Sequence, residues 1–509
     1  MTGETMEQAA PRLATRREWI GLGVLALPCM IYSMDLTVLN LAVPTLTREL
    51  KPSASQLLWI IDIYGFMVAG FLMTMGTLGD RIGRRKLLMI GACAFGLASI
   101  VAAFSASAEM LILMRAVLGI AGATLAPSTL SLITVMFTDE KERTFAISMW
   151  IAAFSAGGII GPVVGGVLIE YFFWGSVFLV AVPPMVLLLL IGPALLPEYR
   201  DPKAGRLDIA SALLSLAAML CIIYGVKKIA EFGMGPTSLA AIGLGLALVV
   251  LFVRRQNRLA DPMIDMALFR IPALSASLAI NLSSIMFMFG SFIFFAQYLQ
   301  LVAGLSPLEA GLWSLPSSIA FTLCSFVTPA LAARIPTARL IAGGMGVAAL
   351  GFVWLSFAPS LLQIVSASIV FSVGFTPVIA LTTGLVVGSA PPERAGAASA
   401  MSETSAELGG ALGVAILGSL GTAIYRSRMS EVAMPGTSPE ALAGARATLG
   451  GALSAAGQMA PDQAAPVLAT ARAAFMGGFH AVAALSILAM LFCAVLALTV
   501  LRDAKAAPH

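Results

Sequence analysis

Long apolar runs separated by short polar breaks set the pattern of this chain. Runs near 19–43, 57–78, 87–105, 110–136, 145–169, 174–195, 208–229, 237–253, 273–302, 311–332, 338–357, 361–388, 396–425 and 478–501 are each apolar. A bilayer core needs about 20 apolar residues per helix, so the pattern predicts fourteen membrane spans. An even number puts both ends on one side. Most Lys and Arg fall in alternate breaks, including Arg200, Lys203, Arg206, Arg254, Arg255, Arg258, Arg334, Arg339 and Arg394. Basic loops stay in the cytoplasm, so both termini are expected there.

The most structured break is Gly76–Leu88, GTLGDRIGRRKLL. Asp80, Arg81, Arg84, Arg85 and Lys86 cannot enter hydrocarbon cheaply, since a mid-bilayer charge costs at least ~2.5 kcal/mol. Gly76, Gly79 and Gly83 permit a sharp turn. The segment therefore reads as a tight cytoplasmic loop.

A repeat is also legible. Glu142-Arg143-x-x-Ala146-x-Ser148 recurs as Glu393-Arg394-x-x-Ala397-x-Ser399, Gly157-x-x-x-Gly161 as Gly409-x-x-x-Gly413, and Leu78-x-x-Arg81-Ile82 as Leu331-x-x-Arg334-Ile335. Nearly constant offsets in chain order indicate two related halves. The organisation expected is a segment 1–18, a six-helix half 19–195, a linker 196–270 carrying two inserted spans, a second half 271–501, and a tail 502–509. The second half contains an outer insertion at about 428–475, rich in Ala, Gly and Pro, expected to form one or two short amphipathic or hairpin elements. The join between spans 7 and 8, around Lys227–Pro236, is the least defined by the pattern. Parallel repeats around a mid-membrane cavity are a transporter architecture.

Composition agrees: 59% hydrophobic, 11% charged and mean hydropathy +0.95, which excludes an ordinary water-soluble domain. The five cysteines lie inside apolar runs without CxxC spacing, and two histidines are too few for a metal cluster, so neither disulfides nor metal are expected. No GxxxxGK[ST] loop occurs. No cofactor is expected, and coupling must come from an ion gradient. Arg12, Arg16 and Arg17 precede a run with no small-residue cleavage site, so the start reads as a retained helix.

Several polar residues sit inside spans. Asp35, in the first span with Thr37 and Asn40, is either a proton or cation site or an acid paired with a neighbouring helix. Asp62, near the outer third of span 2, is either a mouth acid that attracts cations or an interfacial residue. Trp59 and Tyr64 suit a cavity wall or an interfacial belt. Arg115 in span 4 needs an acid or carbonyl partner, because a guanidinium does not lose its proton. Glu403 and Glu407 in span 13 stand one turn apart on one face; Glu407 is deeper, and Glu403, nine residues after Arg394, is within reach of cytoplasmic water. Span 9 carries Phe287, Phe292 and Phe295 among methionines, and those facing inward would suit flat apolar cations.

G-x-L-x-D-R-x-G-R-R-x-x-L at 76–88 resembles the loop between helices 2 and 3 of the major facilitator superfamily. Leu111-x-x-x-Arg115-x-x-Leu118-Gly119 resembles its helix-4 motif, associated with proton transfer, with Leu118 in place of the usual Gln. Gly157-x-x-x-Gly161-Pro162-x-x-Gly165-Gly166 is GxxxG packing by spacing alone, but it matches the superfamily's antiporter motif in full. Residues 35–44, 59–64, 76–88, 111–123 and 157–168 together resemble the fourteen-helix drug:proton antiporters, of the quaternary-ammonium exporter type. In the second copy of the loop, Ala333 and Pro336 replace Asp and Gly.

The resemblance implies an all-α polytopic fold of two six-helix repeats plus two inserted helices. It also implies a monomeric, non-enzymatic exporter in a bacterial inner membrane. Lipophilic cations such as ethidium would be exchanged for protons by alternating access. Asp35, Asp62, Arg115, Glu403 and Glu407 would carry coupling and substrate charge. Gly76, Asp80, Arg81, Gly83, Arg84 and Arg85 would act as a conformational latch, with Asp80 facing the start of helix 13. Its partners are small cations, protons and lipid, with no nucleic acid. The alternatives are a dedicated exporter of a metabolite or lipid precursor, and a non-transporting membrane sensor.

Overall fold

The computed structural model describes residues 13–200, 208–259, 262–390, 395–432 and 438–502. The Glu393-Arg394 copy of the short repeat, Lys203, Arg206 and both extreme ends lie outside these residues. The described chain is helical. Among the described residues, thirteen helices are long and apolar enough to cross a membrane, and the bent pair Arg16–Asp35 and Thr37–Leu50 makes a fourteenth. In chain order these are α1 (Arg16–Leu50), α2 (Ala54–Ile82), α3 (Arg84–Ala103), α4 (Ala108–Met136), α5 (Glu140–Tyr171), α6 (Ser176–Leu195), α7 (Ile209–Phe232), α8 (Pro236–Gln256), α9 (Pro272–Val302), α10 (Pro307–Ala332), α11 (Thr337–Phe357), α12 (Leu361–Gly388) and α13 (Ala398–Met429). Two short helices, α14 (Pro439–Ala447) and α15 (Leu449–Ala456), precede the last span, α16 (Pro461–Val500).

Serine caps set several starts. At α2, Ser53 Oγ accepts from Gln56 N at 3.2 Å and Gln56 Oε1 accepts from Ser53 N at 2.9 Å, the reciprocal capping box. Two boundaries differ from the sequence reading. The first span runs to Leu50 and bends by 44° between Asp35 and Thr37. The last span begins at Pro461 rather than 478, so the insertion near 428–475 comprises α14, α15 and the first turns of α16. Spans 7 and 8 are separate, joined by a turn in which Gly233 has φ +79°.

The two halves pack alike. α1 lies along α5 as α9 lies along α13; α2 lies along α4 as α10 lies along α12; α3 joins α6 as α11 joins α16. Between halves, α2 meets α13 and α5 meets α10, again a reciprocal pair. Glycines show the correspondence at atomic scale. A Cβ on Gly157 would lie 2.1 Å from Met30 O, and one on Gly409 would lie 2.8 Å from Leu282 O. Both members of that contact recur at an offset of 252 (157 to 409, 30 to 282).

The inserted helices pack against each other and stand at the seam. Arg255 Nη2 donates to Asp208 Oδ1 at 2.8 Å and its Nε to Ser211 Oγ at 3.0 Å, tying α8 to the start of α7. Ile223 of α7 packs with Phe66 of α2 and with Ala411 and Ala415 of α13, so α7 touches both halves.

Candidate functional site

A cavity of about 400 Å³ lies between the halves. α1 lends it Thr37 and Asn40; α2 lends Ile61, Asp62 and Gly65; α4 lends Arg115; α5 lends Phe154 and Gly158. From the other half come Met288, Phe289, Phe292 and Phe295 of α9, Ser317 and Phe321 of α10, Phe371 and Ser372 of α12, and Glu407 and Gly410 of α13. Aromatic rings and a methionine thus surround few charges, a lining suited to flat apolar molecules carrying positive charge.

Arg115 is 1% exposed. Its Nη1 donates to Asp35 Oδ2 at 2.5 Å, its Nε to Ile60 O at 3.1 Å, and its guanidinium lies 4.6 Å from the Tyr64 ring centroid. Asp35 is 7% exposed and is not on the cavity wall. It stands at the bend of α1, behind Arg115. A buried charge needs such pairing, and breaking the pair costs about 3–5 kcal/mol.

Glu407 borders the cavity and accepts from Tyr32 Oη at 2.5 Å. That bond joins α13 to α1 and hence one half to the other. Tyr32 also lies near Tyr64 and Phe154, with centroids 6.1 and 5.9 Å apart. Glu403 is exposed, one turn further toward the start of α13.

The placement of Asp62 corrects the sequence reading. It is no mouth acid: its side chain is 0% exposed and pairs with Lys227 of α7, Nζ–Oδ2 2.8 Å. Sequence reasoning missed Lys227, which it had placed at an ill-defined span end; a lysine so close to apolar Ile222, Ile223 and Ile229 was the available signal. Three proposed cavity aromatics also lie elsewhere. Trp59 covers Lys227, whose Nζ is 3.7 Å from the ring centroid. Tyr64 is buried under Arg115, and Phe287 is buried in the core of the second half; neither borders the cavity. Phe292 and Phe295 border it, together with Phe154, Phe289, Phe321 and Phe371, which lie on helices apolar all round.

Gly157, Gly161 and Gly165 run down the face of α5 against α1. Added Cβ atoms would meet Met30 O at 2.1 Å, Thr37 Oγ1 at 2.4 Å and Val38 Cγ2 at 2.3 Å. A Cβ on Gly166 would lie 2.6 Å from Pro307 O of α10, and one on Gly311 of α10 would lie 2.5 Å from Pro162 O. The motif therefore packs α5 against both α1 and the other half. Further links at that end are Gln300 Nε2 to Leu41 O at 3.0 Å and Leu308 N to Glu170 Oε2 at 3.0 Å, so the halves meet there.

The loop at 76–88 is tied to the end of α6. Gly83 has φ +114° and its N–H donates to Gly79 O at 2.9 Å. Arg84 N donates to Tyr199 O at 2.9 Å, and Arg85 N to Glu198 Oε1 at 3.1 Å. Asp80 pairs with Arg84 at 2.6 Å, a partner within its own loop; residues 391–394, just before the helix start that Asp80 was expected to face, lie outside those described. Gly76 has open space beside it, and Arg81 lies in the last turn of α2. Gly83→Ala is expected to strain the turn, because that φ is a glycine conformation costing other residues about 1–3 kcal/mol. Its Cβ would also lie 2.4 Å from Glu198 Oε1. A melting scan in detergent should show the loss, with Gly76→Ala unchanged.

Known proteins place this architecture. The Major Facilitator Superfamily profile matches residues 25–414. Multidrug efflux pump LfrA of Mycolicibacterium smegmatis is 42% identical over 481 residues, covering 94% of this chain and 95% of that protein. Methyl viologen resistance protein SmvA of Salmonella typhimurium is 37% identical, covering 92% and 94%. Among solved structures, an inward-facing, unoccupied bacterial homologue of the human lysosomal transporter Spinster superposes with TM-score 0.70 at 18% identity, covering 97% of this chain and 100% of that one; at that identity it shows the fold alone. With two six-helix repeats, two inserted helices and a profile match across most of its length, this multi-pass membrane protein belongs to the Major Facilitator Superfamily and is a transporter rather than an enzyme.

Proposed function

We propose that the protein exports lipophilic cationic drugs from the cytoplasm in exchange for protons. The observation that carries this reading is the cavity itself: Phe and Met side chains around one approachable carboxylate, Glu407, whose side-chain partner is a hydroxyl rather than a cation. LfrA and SmvA, named for multidrug efflux and methyl viologen resistance, support export of such compounds. Both termini are assigned to the cytoplasm of an inner membrane. The end where α5 meets α10 is then the outer gate, closed here, and the cavity is reached from the inner side. A cation binds over the aromatic wall with its charge toward Glu407. Rocking of the halves about α2–α13 and α5–α10 exposes it to a more acidic exterior. There, protonation of Glu407 and of the Asp35–Arg115 centre releases it. The proton-motive force supplies ~2.3 kcal/mol per charge per 100 mV, plus the pH term. The loop at 76–88 serves as a conformational latch.

Ethidium efflux from proteoliposomes under an imposed pH gradient tests this. The parent should concentrate ethidium against its gradient, and collapse of the pH difference should stop it. Glu407→Gln keeps the acceptor for Tyr32 but removes the charge, and should weaken ethidium binding about tenfold, roughly 1.4 kcal/mol. Tyr32→Phe should change it only two- to threefold, by about 0.5 kcal/mol, as expected for one hydrogen bond. A parent that moves no ethidium would overturn the reading.

A further inference from the structure

The inserted helix α7 delivers one side chain to the edge of the transport cavity. Lys227 is 1% exposed, and its Nζ lies 3.0 Å from Asp62 Oδ1 and 2.8 Å from Oδ2. The Trp59 ring closes over the same ammonium at 3.7 Å. A carboxylate on one side and an indole face on the other form a site for a positive charge. Asp62 is at the same time a residue of the cavity border. The ammonium, carried by α7, thus occupies the position that a cation reaching Asp62 from the cavity would take.

We propose that Lys227 is a resident cation that fills the Asp62–Trp59 site and thereby limits the positive charge the cavity accepts. With Lys227 in place, Asp62 is neutralised and Glu407 is left to meet a monocation. With Lys227 removed, Asp62 becomes a second negative group on the wall, and a dication gains a partner for its second charge. The inserted helices, which lie outside the six-helix repeats, then set charge selectivity. A purely structural pin between α7 and α2 would have no such effect on selectivity. The proposal rests on the cation-export reading.

Ethidium and propidium share a phenanthridinium ring and carry one and two positive charges. Efflux of both is measured in proteoliposomes for the parent, Lys227→Met, Lys227→Arg and the double substitution Lys227→Met with Asp62→Asn. Lys227→Met is expected to raise the propidium-to-ethidium rate ratio about tenfold, because selectivity is a difference of affinities and only the dication gains a charge partner. Lys227→Arg should keep the parental ratio, and the double substitution should restore it. An unchanged ratio in Lys227→Met, or a raised ratio that persists in the double variant, overturns the proposal. Should Lys227→Met fail to accumulate, Lys227→Gln, neutral but still able to hydrogen-bond Asp62, takes its place: a raised propidium-to-ethidium ratio supports the proposal and an unchanged ratio overturns it. A parent that moves neither dye overturns the cation-export reading and this inference together; a parent that moves ethidium with no shift in ratio overturns only the inference.

Discussion

Asp35→Asn is expected to abolish ethidium efflux driven by a pH gradient and to destabilise the protein, while Arg115→Met does less damage to the fold. The asymmetry follows from the pair. Arg115 and Asp35 meet at 2.5 Å with side chains 1% and 9% exposed. A guanidinium stays charged, so Asp35→Asn leaves a buried cation with neutral acceptors, the amide oxygen and the Ile60 and Ile61 carbonyls, beside the Tyr64 ring. Breaking a buried pair costs about 3–5 kcal/mol, and the retained acceptor should hold the loss toward the lower end. In Arg115→Met the remaining carboxyl can take a proton and become neutral, which limits the cost. Thermal unfolding in detergent should therefore rank parent, Arg115→Met and Asp35→Asn in falling order. Efflux should vanish in Asp35→Asn, because no carboxyl remains there to bind and release a proton. Gradient-driven efflux that survives in Asp35→Asn would move coupling to Glu407 alone.

Gly157→Ala should be strongly damaging to the fold, and Gly158→Ala nearly silent for folding. A Cβ at 157 would lie 2.1 Å from Met30 O and 3.0 Å from its carbonyl carbon. Those are backbone atoms of α1, which no rotamer change can move aside. Overpacking of this kind costs about 1–3 kcal/mol or more, and here it pushes apart the two helices that hold Asp35 and the cavity wall. A Cβ at 158 meets only Ser33 Oγ at 3.5 Å, ordinary contact. Because Gly158 borders the cavity, its alanine variant should fold like the parent and alter drug preference only. Membrane yield and melting temperature, measured for both variants, check the contrast; equal losses would show that α1 and α5 have slack along this seam.

Much of this was legible in the residue order. The span count followed from run length, since a bilayer demands about 20 apolar residues per crossing, and charge placement marked the breaks. Gly157, Gly161 and Gly165 could be recognised because only small residues at that spacing let helices touch, and their partners proved to be α1 atoms. The loop at 76–88 read as a tight turn, which Gly83 makes with a positive φ. The span ends were less legible. Helices continue past the hydrocarbon limit wherever capping and packing allow, as α1 does to Leu50 and α16 does from Pro461.

The tertiary structure decided the pairings. Asp35 and Arg115 are 80 residues apart and Asp62 and Lys227 are 165 apart, and spacing within one helix says nothing about either. The same holds for which rings border the cavity. A helix in lipid is apolar on every side, so its pattern does not distinguish the face toward lipid from the face toward the cavity. Phe292 and Phe287 therefore look alike in the sequence, yet one borders the cavity and the other is buried in the second half. Composition and periodicity determined that this chain crosses a membrane fourteen times in two related halves, because the cost of burying polar backbone and charge in hydrocarbon acts locally along the chain. Which acid meets which base, and which residues meet the substrate, depended on how each helix is rotated, and only close packing among all the helices sets that rotation.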